Sequence, residues 1–151
     1  MKTLLLSVAL VALAGPVLAD DKQHIVVKPE GLNFTENRAL PRGAQTAVLA
    51  DYAKTGVHVR RHKFPANYKV PPHTHPDIET VTVVSGSLGV GVGETFNPQG
   101  EMLKPGSWFM MPARHPHYVW TGSEETILHV HGTGPGGIDY VNPADDPRKG
   151  Q

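Results

Sequence analysis

The stretch of sequence that decides the fold reads His73-Thr74-His75-Pro76-Asp77-Ile78-Glu79. In an extended strand the side chains of residues i and i+2 point to the same face, so His73 and His75 can converge on one metal ion. Glu79 has the parity to join them, although Pro76 can bend the strand between. Imidazole and carboxylate ligands together suit first-row metals such as Fe(II), Mn(II), Cu(II), Ni(II) and Zn(II). Two half-exposed strand histidines would give the same pattern, so the flanking sequence has to decide.

The rest of the chain consists of short runs with strand composition, separated by turns rich in Gly and Pro. These runs are residues 44–50, 57–64, 79–84, 88–92, 108–111, 117–120 and 126–131. β-Branched and aromatic residues favour strands, and the N-terminal segment is not followed by any extended helical periodicity. Residues 65–72 are expected to form a loop into the metal-binding stretch. The pattern predicts an all-β protein, either a sandwich or a barrel.

The same runs divide the chain into four parts. Residues 1–19 have the features of a secretory signal peptide. Residues 20–43 form an N-terminal arm, in which residues 25–27 are expected to be a short strand. Residues 44–141 form the barrel domain, and residues 142–151 form a polar C-terminal tail.

The signal peptide is indicated by its charge and by the length of its apolar run. Lys2 supplies the positive N-terminal region, and residues 4–13 are apolar but too few to span a bilayer. Small residues before Asp20 suit cleavage after Ala19. The expected location is therefore periplasmic or secreted, and a retained N-terminal anchor is the alternative.

Composition restricts the classes of partner. The chain has no cysteine, which excludes disulfides, thiolate metal ligands and a thiol nucleophile. Its 14 basic and 14 acidic residues balance, without a basic run. Such a chain has no electrostatic footprint for nucleic acid or, after signal cleavage, for a membrane. The expected partner is a small-molecule substrate or ligand.

A second stretch, residues 106–117, completes a resemblance to the cupin superfamily, which has two sequence motifs. The residues that stand at the spacing of the first motif are His73, His75, Glu79 and Gly86. Those that stand at the spacing of the second are Gly106, Pro112 and His117. Three positions depart from the motifs, with Asn67 and Arg114 replacing glycines and Thr121 replacing an asparagine.

The resemblance covers about residues 44–140 and implies the cupin fold, an antiparallel jelly-roll β-barrel. It implies that one divalent transition metal, Fe, Mn, Ni, Cu or Zn, is bound inside the barrel by His73, His75, Glu79 and His117. Cupins commonly pair through sheet edges and N-terminal strands, so a homodimer is expected.

This ligand set predicts an open rather than a closed metal site. Four protein ligands leave up to two positions free on an octahedral ion, whereas a structural zinc site is closed at four. We therefore expect a metal-dependent enzyme, similar to cupin dioxygenases, isomerases or lyases, that acts on a small oxygenated or aromatic compound. Glu79 is expected to be a catalytic proton acceptor as well as a ligand. The alternative is a non-catalytic module that senses or carries a metal or small ligand.

Polar residues on the strand before the motif are candidates for substrate contact. Arg60 and His62 share the parity of Phe64, so they face the barrel interior if Phe64 does. They would then bind a substrate anion or donate a proton. The alternative is a solvated face, with Val57 and Val59 inward, and His58 has the same ambiguity.

Three further histidines lie later in the chain. His129 and His131 share a strand face and are candidates for lining the cavity as partners of the metal ligands or as a proton relay. Packed or surface positions are the alternative for both. His115 lies on a loop next to Pro116 and is expected at the rim rather than as a fifth ligand.

We predict that the mature protein begins at Asp20. Mass spectrometry of protein from the periplasm or medium of the native host should show a chain that lacks Met1 to Ala19. An intact precursor that accumulates in the cytoplasm would contradict the signal peptide.

Overall fold

The fold is taken from a computed structural model of the chain, which describes residues 24–52 and 55–150. The predicted signal peptide, residues 1–19, lies outside the described residues. Within the described ranges, no helix is long and apolar enough to cross a membrane.

The regular structure of the described residues is almost entirely β-strand. The strands are β1 (Thr35–Glu36), β2 (Gln45–Tyr52), β3 (Val57–Phe64), β4 (Lys69–Thr74), β5 (Glu79–Ser85), β6 (Leu88–Val92), β7 (Trp108–Met111), β8 (His117–Thr121), β9 (Thr126–Thr133) and β10 (Asp139–Tyr140). Short 3-10 turns occur at Pro29–Gly31, Pro143–Asp145 and Pro147–Gly150.

The strands form two antiparallel sheets that face each other. The larger has the order β1-β2-β3-β9-β5-β7, and the smaller has the order β10-β4-β8-β6. The prediction of an all-β protein is confirmed, and each of the seven predicted runs is a strand at nearly the predicted bounds.

The expected loop at residues 65–72 is wrong in its second half, because β4 begins at Lys69. The segment was predicted to be a loop because it contains Pro71 and Pro72, which are unusual within a strand. Both fall where the ladder to β8 is irregular, between the pairs Val70↔Val119 and His73↔His117. Proline has no N–H to give to a ladder, so it is tolerated in a strand at such an irregularity.

The expected strand at residues 25–27 is also absent. Val26 is 69% exposed, and the short strand of the arm is β1, which pairs with β2. Ile25 and Val27 instead line a surface groove with Val59 on the outer face of the large sheet. Their apolar character therefore indicates contact with this face and not strand pairing.

The core lies between the two sheets. The small sheet contributes Val70 and Val119, which are 1% and 7% exposed. The large sheet contributes a larger set of buried side chains: Phe64, Val81, Val83, Leu128 and Val130. Each fully buried side chain of this size stabilises the fold by about 1.5–3 kcal/mol.

The loop that follows β1 is held over one end of this core by two tyrosines. The Tyr140 hydroxyl donates to the Ala39 carbonyl at 2.9 Å, and the Tyr68 hydroxyl donates to the Pro41 carbonyl. The side chain of Leu40, in the same loop, is buried against the core. Residues 37–41 therefore form a fixed part of the barrel.

Two of the three positions that depart from the cupin motifs have a backbone conformation that favours glycine. Asn67 and Arg114 have φ values of 56° and 60°, the only positive φ among non-glycine residues that the structure describes. This left-handed conformation costs a side-chain-bearing residue roughly 1–2 kcal/mol. The Arg114 N–H donates to the His75 carbonyl at 2.7 Å, so the second motif's loop is joined to the first motif.

Glycines in β6 allow aromatic side chains of β8 to lie flat against the small sheet. Gly89 pairs with Trp120, and Gly91 pairs with Tyr118. A Cβ atom at Gly89 would lie 2.0 Å from the Trp120 ring. The rings of Phe96 and Tyr118 are 5.1 Å apart, so the aromatic residues form one outer layer.

We predict that Gly89→Ala destabilises the protein by about 1–3 kcal/mol, because the Trp120 ring must move off its strand. The control is Gly31→Ala, since a Cβ atom there meets nothing within 4 Å. Urea denaturation measures both variants, and equal stabilities would contradict the packing of Trp120 on Gly89.

Candidate metal centre

Three imidazoles meet between the two sheets. His73 on β4 and His117 at the start of β8 are a ladder pair, and both are nearly fully buried. His75 follows β4 by one residue. One possible ligand nitrogen from each of these histidines lies within 4.8 Å of the others. The residues that the sequence separates by about forty positions thus come together through strand pairing.

The nitrogen that each ring presents is set by a backbone carbonyl. The Nδ1 atoms of His73, His75 and His117 lie 2.7, 2.6 and 3.0 Å from the carbonyl oxygens of residues 71, 137 and 115. A carbonyl oxygen can only accept, so each Nδ1 carries the proton. Each neutral ring therefore presents the Nε2 lone pair, which is the form that binds a metal.

Glu79 reaches the histidines from the opposite sheet. Its Oε2 lies 3.4 Å from His75 Nε2 and 3.7 Å from His117 Nε2. The expectation that Glu79 shares a strand face with His73 is wrong, since β4 ends at Thr74 and Glu79 is the first residue of β5. The carboxylate joins the histidines because the two sheets meet here.

The local electrostatics favour a neutral His73 and an ionised Glu79. Burial lowers the pKa of His73 to about 3, and the neighbouring His117 and His75 act in the same direction. For Glu79, burial acts to raise the pKa, but the interactions of the carboxylate with His117, His75 and His73 outweigh it and lower the pKa to about 2.

The donor set fits a divalent cation. His75 Nε2 is buried and has no hydrogen-bond partner. Nitrogen lone pairs that face a carboxylate oxygen repel it unless a cation lies between them. Three neutral imidazoles with one carboxylate suit the first-row metals that the sequence indicates.

The centre opens into a cavity of about 490 Å³ between the sheets. Part of the lining is apolar and comes from β5, β7 and β9 of the large sheet: Val81, Phe109, Leu128 and Val130. A neighbouring part of the same sheet is largely polar and consists of side chains from β2 and β3: Thr46, Val48, His58, Arg60 and His62. The loop after β1 forms part of the lining.

The structure places Arg60 and His62 inside the cavity. Phe64, which shares their parity, is 3% exposed and part of the core. Val59 faces the outer groove, so the alternative orientation of β3 does not occur. The roles of Arg60 and His62 toward a substrate stay predictions.

The expectation that His129 and His131 line the cavity is wrong. Leu128 and Val130 of the same strand line it, so the alternating histidines lie on the outer face of the large sheet. Burial lowers the pKa of His129, and the nearby charge of Arg61 adds to this effect. Histidines and apolar residues alternate along β9, and the sequence alone does not show which of the two faces is inward.

His115 is exposed and contributes through its backbone, since its carbonyl accepts the His117 Nδ1–H. Its side chain is not part of the three-histidine group.

A buried pair, His58 and Asp77, belongs to the cavity, whereas the sequence left the orientation of His58 open and did not indicate Asp77. His58 Nε2 lies 3.8 Å from Asp77 Oδ2, and the residues are 7% and 8% exposed. Gly132 lies between His58 and Glu79 in the ladder. A Cβ atom at Gly132 would be 2.2 Å from His58 Nε2. His58 shares the parity of Arg60 and His62 and faces inward with them, whereas no periodic signal indicates Asp77.

Comparison with known proteins identifies the fold. No family model and no curated protein matches the chain. The polyketide cyclase RemF from Streptomyces resistomycificus matches with a TM-score of 0.68 and 20% identity, over 84% of this chain and 92% of that chain. An RmlC-like cupin protein from Ralstonia eutropha matches with a TM-score of 0.64 and 15% identity, over 80% and 74%. An oxalate oxidase matches with a TM-score of 0.55 and 24% identity, over 70% and 58%.

These likenesses confirm the fold expected from the two motifs. The chain has the cupin fold, a jelly-roll arrangement of antiparallel sheets. Solved structures with this fold include enzymes.

We predict that the metal-free protein loses stability in acid partly through His62. Burial in the cavity lowers the pKa of His62 from 6.5 to about 4, so the unfolded state binds this proton more readily than the folded state. The resulting stability is present above pH 6.5 and is lost as the pH falls toward 4. Between pH 7 and 4.5, the wild type should lose about 2–3 kcal/mol more than His62→Gln.

Urea denaturation of chelator-treated protein at the two pH values measures this difference. His131→Gln, on the outer face of the neighbouring strand, is the matched control and should follow the wild type. If His62→Gln and wild type lose equal stability, His62 is not desolvated in the folded state.

Proposed function

We propose that this protein, which has the cupin fold, is a periplasmic or secreted metal-dependent enzyme that acts on a small oxygenated or aromatic compound. Its reaction would be of the dioxygenase, isomerase or lyase type. One divalent first-row metal would be held by His73, His75, Glu79 and His117. The observation that carries the proposal is the convergence of three Nε2 lone pairs and one carboxylate at the edge of a large cavity.

The protein's own groups determine the geometry of this site. Each ligand ring is fixed by its Nδ1–H bond to a carbonyl, so little side-chain entropy remains to be lost on binding. The apolar wall of Val81, Phe109 and Val130 would exclude water and pack against the flat face of a substrate. When bound, a divalent metal would supply Lewis acidity to substrate oxygens.

Glu79 is the group best placed to move a proton at this centre. Its Oε2 faces His75 and His117, and its lowered pKa keeps the carboxylate ionised at neutral pH. An ionised oxygen within reach of bound substrate can accept a proton from it. In this proposal Glu79 is a ligand and a proton acceptor.

The solved structures that share the fold support an enzymatic role. They include a polyketide cyclase and an oxalate oxidase. The cavity volume of about 490 Å³ is within the range of small-molecule sites in proteins.

We predict that alanine substitution of a single histidine ligand removes most of the metal. His73→Ala, His75→Ala and His117→Ala should each lower metal affinity by about 100-fold or more, since each removes one of four ligands. Glu79→Ala should cost somewhat less, roughly tenfold, because the three imidazoles remain. Elemental analysis of protein from the native compartment, and titration of chelated protein with metal, measure these losses.

His115→Ala is the matched control, because His115 neighbours the site but its side chain is exposed. It should retain the metal. If His115→Ala loses the metal while His117→Ala keeps it, the assignment of the second motif is shifted by two residues. If none of the four substitutions changes occupancy, the metal centre does not exist as proposed.

Screening of the metal-loaded protein tests the catalytic part separately. Oxygen uptake and product formation would be followed with a panel of oxygenated and aromatic compounds, for wild type and Glu79→Gln. Turnover that Glu79→Gln reduces strongly supports an enzyme. Tight metal binding without turnover on any compound would instead favour a non-catalytic binding module.

A further inference from the structure

The cavity wall on the large sheet has a regular layout, in which the polar groups lie at successive positions along the strands. Residues in register across β3, β9 and β5 form rows, which we call rungs. The rungs are His58–Gly132–Glu79, Arg60–Val130–Val81 and His62–Leu128–Val83. Inward residues are spaced by about 7 Å along a strand, so the His62 rung is roughly 13 Å from the rung that contains Glu79.

The protonation of His62 is determined by a chain of hydrogen bonds from the loop after β1. The Ala39 N–H donates to Asn37 Oδ1 at 3.0 Å, and a backbone N–H can only donate, so the orientation of the Asn37 amide is fixed. The Asn37 Nδ2 then donates to Thr46 Oγ1 at 2.9 Å. The Thr46 oxygen therefore accepts from the amide, and the Thr46 hydroxyl proton stays available to another acceptor.

Because the Thr46 hydroxyl accepts from Asn37, it is free to donate its own proton to the His62 imidazole. Its Oγ1 lies 2.7 Å from His62 Nδ1, and His62 is the partner available to its single proton among the described residues. Thr46 therefore donates and Nδ1 accepts. A neutral His62 must carry its own proton on Nε2.

The ring that carries this proton is held in place inside the cavity. It stacks on Phe64 with ring centroids 5.8 Å apart and an interplanar angle of 13°. Burial lowers the pKa of His62 to about 4, so the ring is neutral at physiological pH. No acceptor for the Nε2–H is found among the residues that the structure describes.

The groups around His62 favour an acceptor oxygen of a ligand as the partner of its Nε2–H. Arg60 lies on the same face of β3 and adds a second donor, although its Nη2 also lies 3.6 Å from Asp51. Val130 and Val81, on the same rung as Arg60, provide apolar surface between the two ends. The cavity thus has ligand atoms for a metal at one end, the His62 donor at the other, and Arg60 with this apolar surface between.

We infer that the His62 Nε2–H, positioned by Asn37 and Thr46, donates a hydrogen bond to a carbonyl or other acceptor oxygen of the substrate. The substrate would be a flat, largely apolar compound of about two rings, with metal-chelating oxygens at one end and this acceptor oxygen at the other. The inference rests on the proposed metal centre and specifies its substrate class.

A pair of probe compounds tests the inference. The first is a biphenyl catechol with an acetyl group on the far ring, and the second carries an isopropyl group in its place. The catechol oxygens chelate the metal, and only the acetyl group can accept from His62. Zn(II)-loaded protein is used because zinc has no redox chemistry.

Calorimetry should show that the wild type binds the acetyl probe about five- to tenfold more tightly than the isopropyl probe. His62→Leu should abolish this preference and leave the affinity for the isopropyl probe within about threefold. Thr46→Val keeps the His62 ring but removes the hydroxyl that donates to Nδ1. The ring proton is then no longer restricted to Nε2, so the preference for the acetyl probe should decrease. The control is His131→Leu, on the outer face of β9, which should keep it. A wild type without preference, or a His62→Leu variant that retains it, overturns the inference.

Nitrogen-15 NMR of the His62 ring in metal-free protein gives a readout that needs neither metal nor probe. The wild type should show the proton on Nε2 and a bare Nδ1, and Thr46→Val should show a mixture of tautomers. A purely structural role for Thr46 would not move the tautomer. A wild-type ring with its proton on Nδ1 overturns the inference.

The two measurements separate failure of the inference from failure of the proposed function. If the protein does not bind Zn(II), the proposed metal centre is contradicted, and the tautomer then decides by itself whether His62 can be the donor. If Zn(II) binds at the four ligands but the probes bind equally, the metal centre stands and the substrate class is wrong.

Discussion

The ladder pair His73↔His117 is the constraint on which the site depends. It joins β4 to β8 in the one register that places both imidazoles side by side on the inner face, with ring centroids 4.3 Å apart and the rings tilted by 55°. A shift by one residue would turn every inward side chain of one strand to the other face. Leu88, Val70 and Val119 therefore do more than fill the core, because their burial selects this register. The carbonyls that hold the three Nδ1 protons then determine which ring nitrogen faces the cavity.

The sequence was sufficient where the signal is local or where motif spacing encodes contacts. Alternation and turn residues located seven strands, and the spacing of His73, His75, Glu79 and His117 predicted residues that the fold brings together. Asn67 and Arg114, which stand where the motifs have glycine, adopt the positive φ that glycine favours, so the backbone turns there without a glycine. Export and the homodimer are not tested by the fold and stay predictions.

The sequence was insufficient for features that depend on how strands pair with one another. Parity could not show that His129 and His131 face outward, because both faces of β9 are partly covered. Pro71 and Pro72 concealed β4, since the irregular pairing that admits them is a property of the ladder with β8. The buried contact of His58 with Asp77 requires a glycine, Gly132, on the strand between, and it follows only from the register of three strands. The sequence placed Glu79 on the same strand face as His73, whereas the structure brings Glu79 to the site from the opposite sheet.

The most direct test of the metal centre is X-ray absorption spectroscopy of the metal-loaded protein at neutral pH. The absorption edge identifies the element, and the fine structure counts its ligands. The account predicts three imidazole nitrogens at about 2.0–2.1 Å, if the metal is zinc, together with oxygen ligands from Glu79 and solvent. A coordination sphere with fewer than two imidazoles would contradict the centre formed by His73, His75, Glu79 and His117.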